Sequence, residues 1–253
     1  MSLEFDTYLT LIDTEAQAFD ETLEGIPTDR SVPGCPGWTV ADLREHTAGV
    51  FAFWLHQLAD TAPDAEQPTF PSTARARAAE PVHTLARETI DILAERGPTS
   101  PCWNWSGTNR SIAWVVRRLA NEVSVHRADA AAAAGDQPLI PAELAADGID
   151  ELIEVFLDAP PGSRYGNPPL LRLDTPERRW SIRVSEDGVW PDGAGDGVDD
   201  GVGGGGDDGG EAPTVVTGSA SDVLLRLWGR PSAAAVSGDP RAIARWSSLA
   251  AFD

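Results

Sequence analysis

Apolar residues recur at helical spacing through the first half of the chain. Phe5, Leu9, Ile12, Ala16, Phe19 and Leu23 share one side of a helix predicted over 4–24. Leu43, Thr47, Val50, Trp54 and Leu58 mark a second over 40–60, with Thr39 as its cap and Asp42 completing a capping-box pattern. Leu85, Ala86 and Leu93 belong to a third, predicted over 74–96 and ending near Gly97-Pro98. A fourth begins at Ser111, carries Val115 and Leu119, and runs to Ala134 before Gly135. Between the first two helices, Val32-Pro33-Gly34-Cys35-Pro36-Gly37-Trp38 is rich in turn formers and fixes the entry to the second. Four amphipathic helices of this kind predict a four-helix bundle, in which functional side chains project inward from facing helices.

Beyond about residue 138 the pattern changes. A helix over about 141–157 is followed by Pro160-Pro161-Gly162 and then by the strand-like runs Leu170–Leu173, Trp180–Val184 and Thr214–Val215–Val216–Thr217. Ser221 and Asp222 then lead into a helix through Val223, Leu224, Leu225, Leu227 and Trp228. The predicted fold class is α+β, mainly helical, with a four-helix bundle over 1–138 and a small α/β domain over 139–253. Within the second domain, residues at about 191–212 are too glycine-rich to pack and too acidic to collapse, and are read as a disordered loop. Their Gly-Asp alternation lacks the nonapeptide framework of calcium-binding repeats, and no Gly-Lys-Ser/Thr follows to make a phosphate cradle.

Charge narrows the partners. The chain of 253 residues has a net charge of -21, and all 19 of its basic residues are arginine. So acidic a surface argues against nucleic acid and anionic membranes as partners, and suits a soluble protein. The start lacks a basic segment followed by an apolar core, and no apolar run reaches membrane-spanning length, so the expected location is cytoplasmic. The two cysteines, Cys35 and Cys102, lack metal-motif spacing and read as small packed thiols. No pattern in the chain specifies an oligomeric state.

The fourth helix carries the candidate chemistry. At about 100° per residue, Glu122, His126 and Asp129 fall within a sector of roughly 60°, and Val115 and Leu119 share that side, so the three border a buried stripe. One reading is an acid–base pair four residues apart on a solvated face, worth a few tenths of a kcal/mol. The other is a pair of metal ligands, which needs a third from elsewhere in the chain. His46 lies at the margin of the second helix's stripe and is the best candidate. His56 projects from the polar side, and His83, just after Pro81, is a reserve. His46 with Glu122 and His126 supplies the two nitrogens and one oxygen of an open catalytic metal site.

With these residues in place the chain resembles the mycothiol-dependent maleylpyruvate isomerase family. Two motifs carry the resemblance: Val32-Pro33-Gly34-Cys35-Pro36-Gly37-Trp38-Thr39-Val40-Ala41-Asp42-Leu43 with His46, and Glu122-x3-His126-x2-Asp129. The stretch from Thr217 to Arg230 looks like that family's closing strand, helix and Gly-Arg ending. The resemblance implies a DinB-like metal-binding four-helix bundle with His46, Glu122 and His126 as ligands to a divalent ion, usually zinc. It also implies an α/β C-terminal domain in which an arginine, Arg230 or its rival Arg226, helps hold the anionic substrate or thiol. Asp129 matches an acidic position of the motif and is expected to orient His126 or handle a proton.

The function so implied is a metal-dependent enzyme that activates mycothiol as a thiolate, for isomerisation or S-transfer on a small electrophilic substrate. Two alternatives use the same residues. One is metal-assisted hydrolysis, with water activated in place of sulfur. The other is a non-catalytic metal-binding or regulatory module.

Overall fold

The structure is a computed structural model that describes residues 3–106, 109–160, 168–192 and 212–250. The glycine-rich segment read as a disordered loop lies, apart from its ends, outside these residues. Two compact units are present, residues 1–147 and 148–253. The architecture is the expected mainly helical α+β class.

The first unit is built from α1 (Phe5–Thr22), α2 (Val40–Asp60), the short α3 (Ser72–Arg75), α4 (Val82–Arg96) and α5 (Ile112–Ala134). Helices α1 and α2 each pack against both α4 and α5, so four long helices surround one core. Ile12, Phe19, Leu43, Phe51, Leu85, Leu93, Ile112 and Leu119 fill it and are fully buried. Each such side chain contributes roughly 1.5–3 kcal/mol by its removal from water. Helix α5 is buried over most of its surface and is tied to α1 by a Glu15–Arg127 ion pair, Nε to Oε2 at 2.7 Å.

Local chemistry sets the helix ends. Thr39 and Asp42 form the full capping box that starts α2, and the Ser111 hydroxyl accepts from the amide of Trp114 at the start of α5. Helix α5 stops where Gly135 turns left-handed at φ 91°, and the Asp136 amide closes the turn on the Ala131 carbonyl at 2.9 Å. The predicted third helix is interrupted. Residues 76–79 form a 3₁₀ turn, and Glu80 is extended at ψ 158° because Pro81 disfavours helical backbone in the residue before it. Helix α4 then starts afresh, with Asp20 accepting from the amide of His83 at 2.9 Å.

The division between the two units falls within helix α6 (Ala142–Glu151), which is followed by a π-helical turn over Leu152–Phe156. The second unit then forms a five-stranded sheet from β1 (Leu170–Asp174), β2 (Arg179–Val184), β3 (Val189–Pro191), β4 (Thr214–Thr217) and β5 (Ala235–Ser237), in the order β3-β2-β1-β4-β5. Among these five strands β1 and β4 pair in parallel, with Leu171 opposite Thr214, and the other three pairings are antiparallel. Strand alternation buries Leu171, Leu173, Trp180, Ile182 and Val184 on one face. Helix α7 (Ala220–Leu227) joins β4 to β5, and α8 (Arg241–Leu249) packs on the sheet through the fully buried Trp246. Strands β3 and β5, three residues each, are too short for alternation to mark them, and helix α8, although amphipathic, was not predicted.

Candidate metal centre

The loop before α2, the first half of α2 and the middle of α5 meet at one place in the first unit. His46 and Glu122, 76 residues apart, come together there, with His46 Nε2 at 3.3 Å from Glu122 Oε1. His126 Nε2 lies 3.2 Å from the same oxygen. The three ligand atoms lie within 4.8 Å of one another. The edge of a tetrahedron with bonds of about 2.0–2.1 Å is about 3.3–3.4 Å, so both short separations already suit one four-coordinate ion. Two imidazole nitrogens and one carboxylate oxygen are also the donor chemistry that zinc accepts.

Neighbouring groups fix each of these candidate ligands. Asp129, 1% exposed, sits behind His126 with Oδ2 3.1 Å from Nδ1. A proton on Nδ1 donated to that carboxylate leaves the Nε2 lone pair facing Glu122 and His46. The thiol of Cys35 donates to the same Asp129 oxygen at 3.4 Å. On the other side, Arg118 donates through Nη2 to Glu122 Oε2. Trp38 roofs the pair of histidines, its ring 4.8 Å from that of His46 and stacked at 6.2 Å on that of His126.

The loop holding Cys35 and Trp38 is fastened by its own backbone. The Val32 amide bonds the Trp38 carbonyl at 3.0 Å, the Trp38 amide bonds the Cys35 carbonyl at 3.0 Å, and Gly37 takes a φ of 85° that favours glycine. These two side chains, with Arg118, are the neighbours of the site that the sequence analysis did not assign to it. Arg118 had a usable signal, since it stands one helical turn before Glu122. Cys35 and Trp38 had none beyond lying in the turn-rich motif.

Electrostatics follow from the same contacts. Burial pushes the Glu122 carboxyl up, but the Arg118 charge and hydrogen bonds from His126 and His46 outweigh it and hold the group well below the usual carboxylate range. Burial lowers His126, yet hydrogen bonds to Asp129 and Glu122 prevail and raise it to about 9. A divalent ion entering here displaces a proton from His126.

The other candidates are placed elsewhere. His56 pairs with Asp60 at 2.9 Å and meets the Thr69 hydroxyl at 2.8 Å, and His83 pairs with Asp13 at 3.1 Å. Arg226 is exposed on α7 in the second unit. Arg230 follows that helix, donates to the Trp228 carbonyl at 2.9 Å and lies 5.7 Å over the Trp228 ring.

Residues 11–131 match the family model described as the mycothiol maleylpyruvate isomerase N-terminal domain, and residues 143–245 match the model of the corresponding C-terminal domain. Two solved structures are similar. One is a mycothiol-dependent maleylpyruvate isomerase with a histidine-to-alanine substitution, at 16% identity and a TM-score of 0.55 over 95% of this chain and 96% of that one. The other is the mycothiol-dependent maleylpyruvate isomerase without that substitution, at 17% identity, a TM-score of 0.52 and the same coverage. At such identity the likeness speaks for the fold. No curated protein matches the chain. With its two halves matched in order by the two domain models, the chain belongs to the mycothiol-dependent maleylpyruvate isomerase family.

Proposed function

We propose that His46, Glu122 and His126 hold a divalent metal ion, zinc by the donor set, and that the protein uses it to activate mycothiol for isomerisation or S-transfer on a small electrophilic substrate. The observation that carries this reading is the convergence of His46 Nε2 and His126 Nε2 on one oxygen of Glu122 in a chain of this family. When bound, such an ion with an open position supplies Lewis-acid chemistry that stabilises a thiolate at neutral pH.

The protein's own groups prepare that position. Asp129 selects the His126 tautomer and, being buried with its oxygen turned to Nδ1 and to Cys35, acts as a positioning residue more than a proton carrier. Trp38 covers the histidines with an apolar face and limits access of water to them. His46, with 39% of its side chain exposed, marks the side from which thiol and substrate arrive. A thiolate adds to an activated double bond, rotation follows about the bond made single, and cleavage of the carbon–sulfur bond returns the thiolate. In S-transfer the carbon–sulfur bond stays, and the enolate left by the addition takes a proton from water. For a carboxylate on the substrate, the reading keeps Arg230, with Arg226 as its rival.

The test is metal analysis combined with a thermal-shift titration by mycothiol in the presence and absence of the metal. The expected result is about one divalent ion per chain, lost in His126→Ala, and a mycothiol-induced shift that needs the ion. Wild-type and His126→Ala proteins with equal metal content would overturn the metal assignment. Turnover of an ester or amide with no thiol added would replace thiol activation by hydrolysis.

A further inference from the structure

We propose that the outer face of the second unit's sheet carries an oxyanion site, built on the Arg172 guanidinium and the Ser181 hydroxyl, that takes a carboxylate or phosphate group of a small molecule. The inference stands apart from the metal-site reading and does not rest on it. Strand alternation sends Leu171, Leu173, Trp180, Ile182 and Val184 into the core, so Arg172, Asp174, Arg179, Ser181 and Arg183 share the opposite face. Arg172 of β1 lies directly opposite Ser181 of β2, and the same register sets Asp174 against Arg179 and Leu170 against Arg183.

The charges of this face are unevenly matched. Asp174 Oδ1 accepts from Arg179 Nε at 2.7 Å, and Asp192 Oδ1 accepts from Arg183 Nε at the same distance. Arg172 has a looser pairing. Its Nη2 lies 3.8 Å from Asp174 Oδ2, beyond hydrogen-bond reach. Among the described residues, neither its guanidinium nor the Ser181 hydroxyl makes a hydrogen bond, and both residues are half-buried.

Unengaged donors in a part-shielded place define the ligand. The planar fork of an arginine matches two oxygens of a carboxylate or phosphate. Facing residues on adjacent antiparallel strands have Cβ atoms about 4.5–5.5 Å apart, which lets the serine hydroxyl donate to the oxyanion that the fork holds. On the other side of Arg172, Val215 of β4 pairs with it in register and offers apolar surface to the ligand's carbon part. A cation finds less here, because Asp174 and Asp192 already accept from arginines. The chain's net charge of -21 repels anions at large, so saturable anion binding on this face has to come from these local groups.

The experiment is calorimetric titration of the full-length protein at low salt with inorganic phosphate and, separately, with succinate, against sodium chloride at matched ionic strength. Saturable binding of at least one oxyanion is expected. Arg172→Gln should weaken it roughly tenfold or more, because a charge-assisted hydrogen bond is lost, and Ser181→Ala should weaken it less. Phosphate alone binding assigns the site to phosphate esters, and succinate alone assigns it to carboxylates. Binding of neither, an equal response to chloride, or affinity unchanged in Arg172→Gln would overturn the proposal. Should Arg172→Gln not fold, Ser181→Asp decides: a carboxylate in place of the hydroxyl should abolish oxyanion binding, and unaltered binding overturns the site. Metal content is measured in neither arm, so failure here is distinct from failure of the function proposed above.

Discussion

At the scale of single residues, the candidate centre consists of three candidate ligands and the groups that fix them. Asp129 exemplifies the second kind. Replacing it by Asn leaves shape intact but presents an amide to His126 Nδ1, which no longer fixes the proton there. Metal affinity should fall roughly 10–100-fold in Asp129→Asn, as for other residues that orient a ligating histidine. A competition titration against a chelator measures it; an unchanged affinity would reduce Asp129 to a packing role. The sequence singled out His46, Glu122, His126 and Asp129 because ionisable groups bordering an apolar stripe invite an explanation, and the fold brings the four together. Cys35 was read as a small packed thiol. It is buried as expected, and its hydrogen bond to Asp129 came only from the folding of its loop onto α5.

Helices carry these residues, and their ends are as informative as their faces. The Ser111 cap opens the helix that carries Glu122 and His126, so Ser111→Ala should lower stability by about 1 kcal/mol. Urea denaturation of the metal-free protein reads this directly, and a change indistinguishable from zero would show that the cap adds nothing. The second unit offers a sharper case at Gly188, between β2 and β3, where φ is 144°. A Cβ added there would lie 2.6 Å from the Leu157 carbonyl oxygen and 2.8 Å from Ala159 Cα. Gly188→Ala should therefore cost about 1–3 kcal/mol, seen as a lowered denaturation midpoint. Wild-type stability in that variant would mean that the backbone there yields easily. Elements with strong periodicity and caps, α2 and α5 above all, were legible to within a residue. The break before Pro81 was underweighted against the apolar spacing on either side, and β3 and β5, each three residues long, are defined by their partners in the sheet.

Across the whole molecule, 40 acidic residues face 19 arginines, and that excess repels itself in the folded state. Stability should rise as salt is increased from a few millimolar toward about 0.15 M, where the screening length shortens to about 8 Å. Thermal unfolding at the two ionic strengths checks this; a falling midpoint would show that favourable ion pairs such as Arg77 with Glu80 and Glu88 outweigh the net repulsion. The order of helical and α/β parts was readable because periodicity, caps and turn formers act between near neighbours in the chain. Those same local rules placed Glu122, His126 and Asp129 on one side of one helix. That His46 meets them, that Arg118 takes one Glu122 oxygen and leaves the other, and that Cys35 reaches Asp129 depended on how α2 and its preceding loop pack on α5. Such packing is set by the shapes of many buried side chains at once, and no short stretch of sequence contains it.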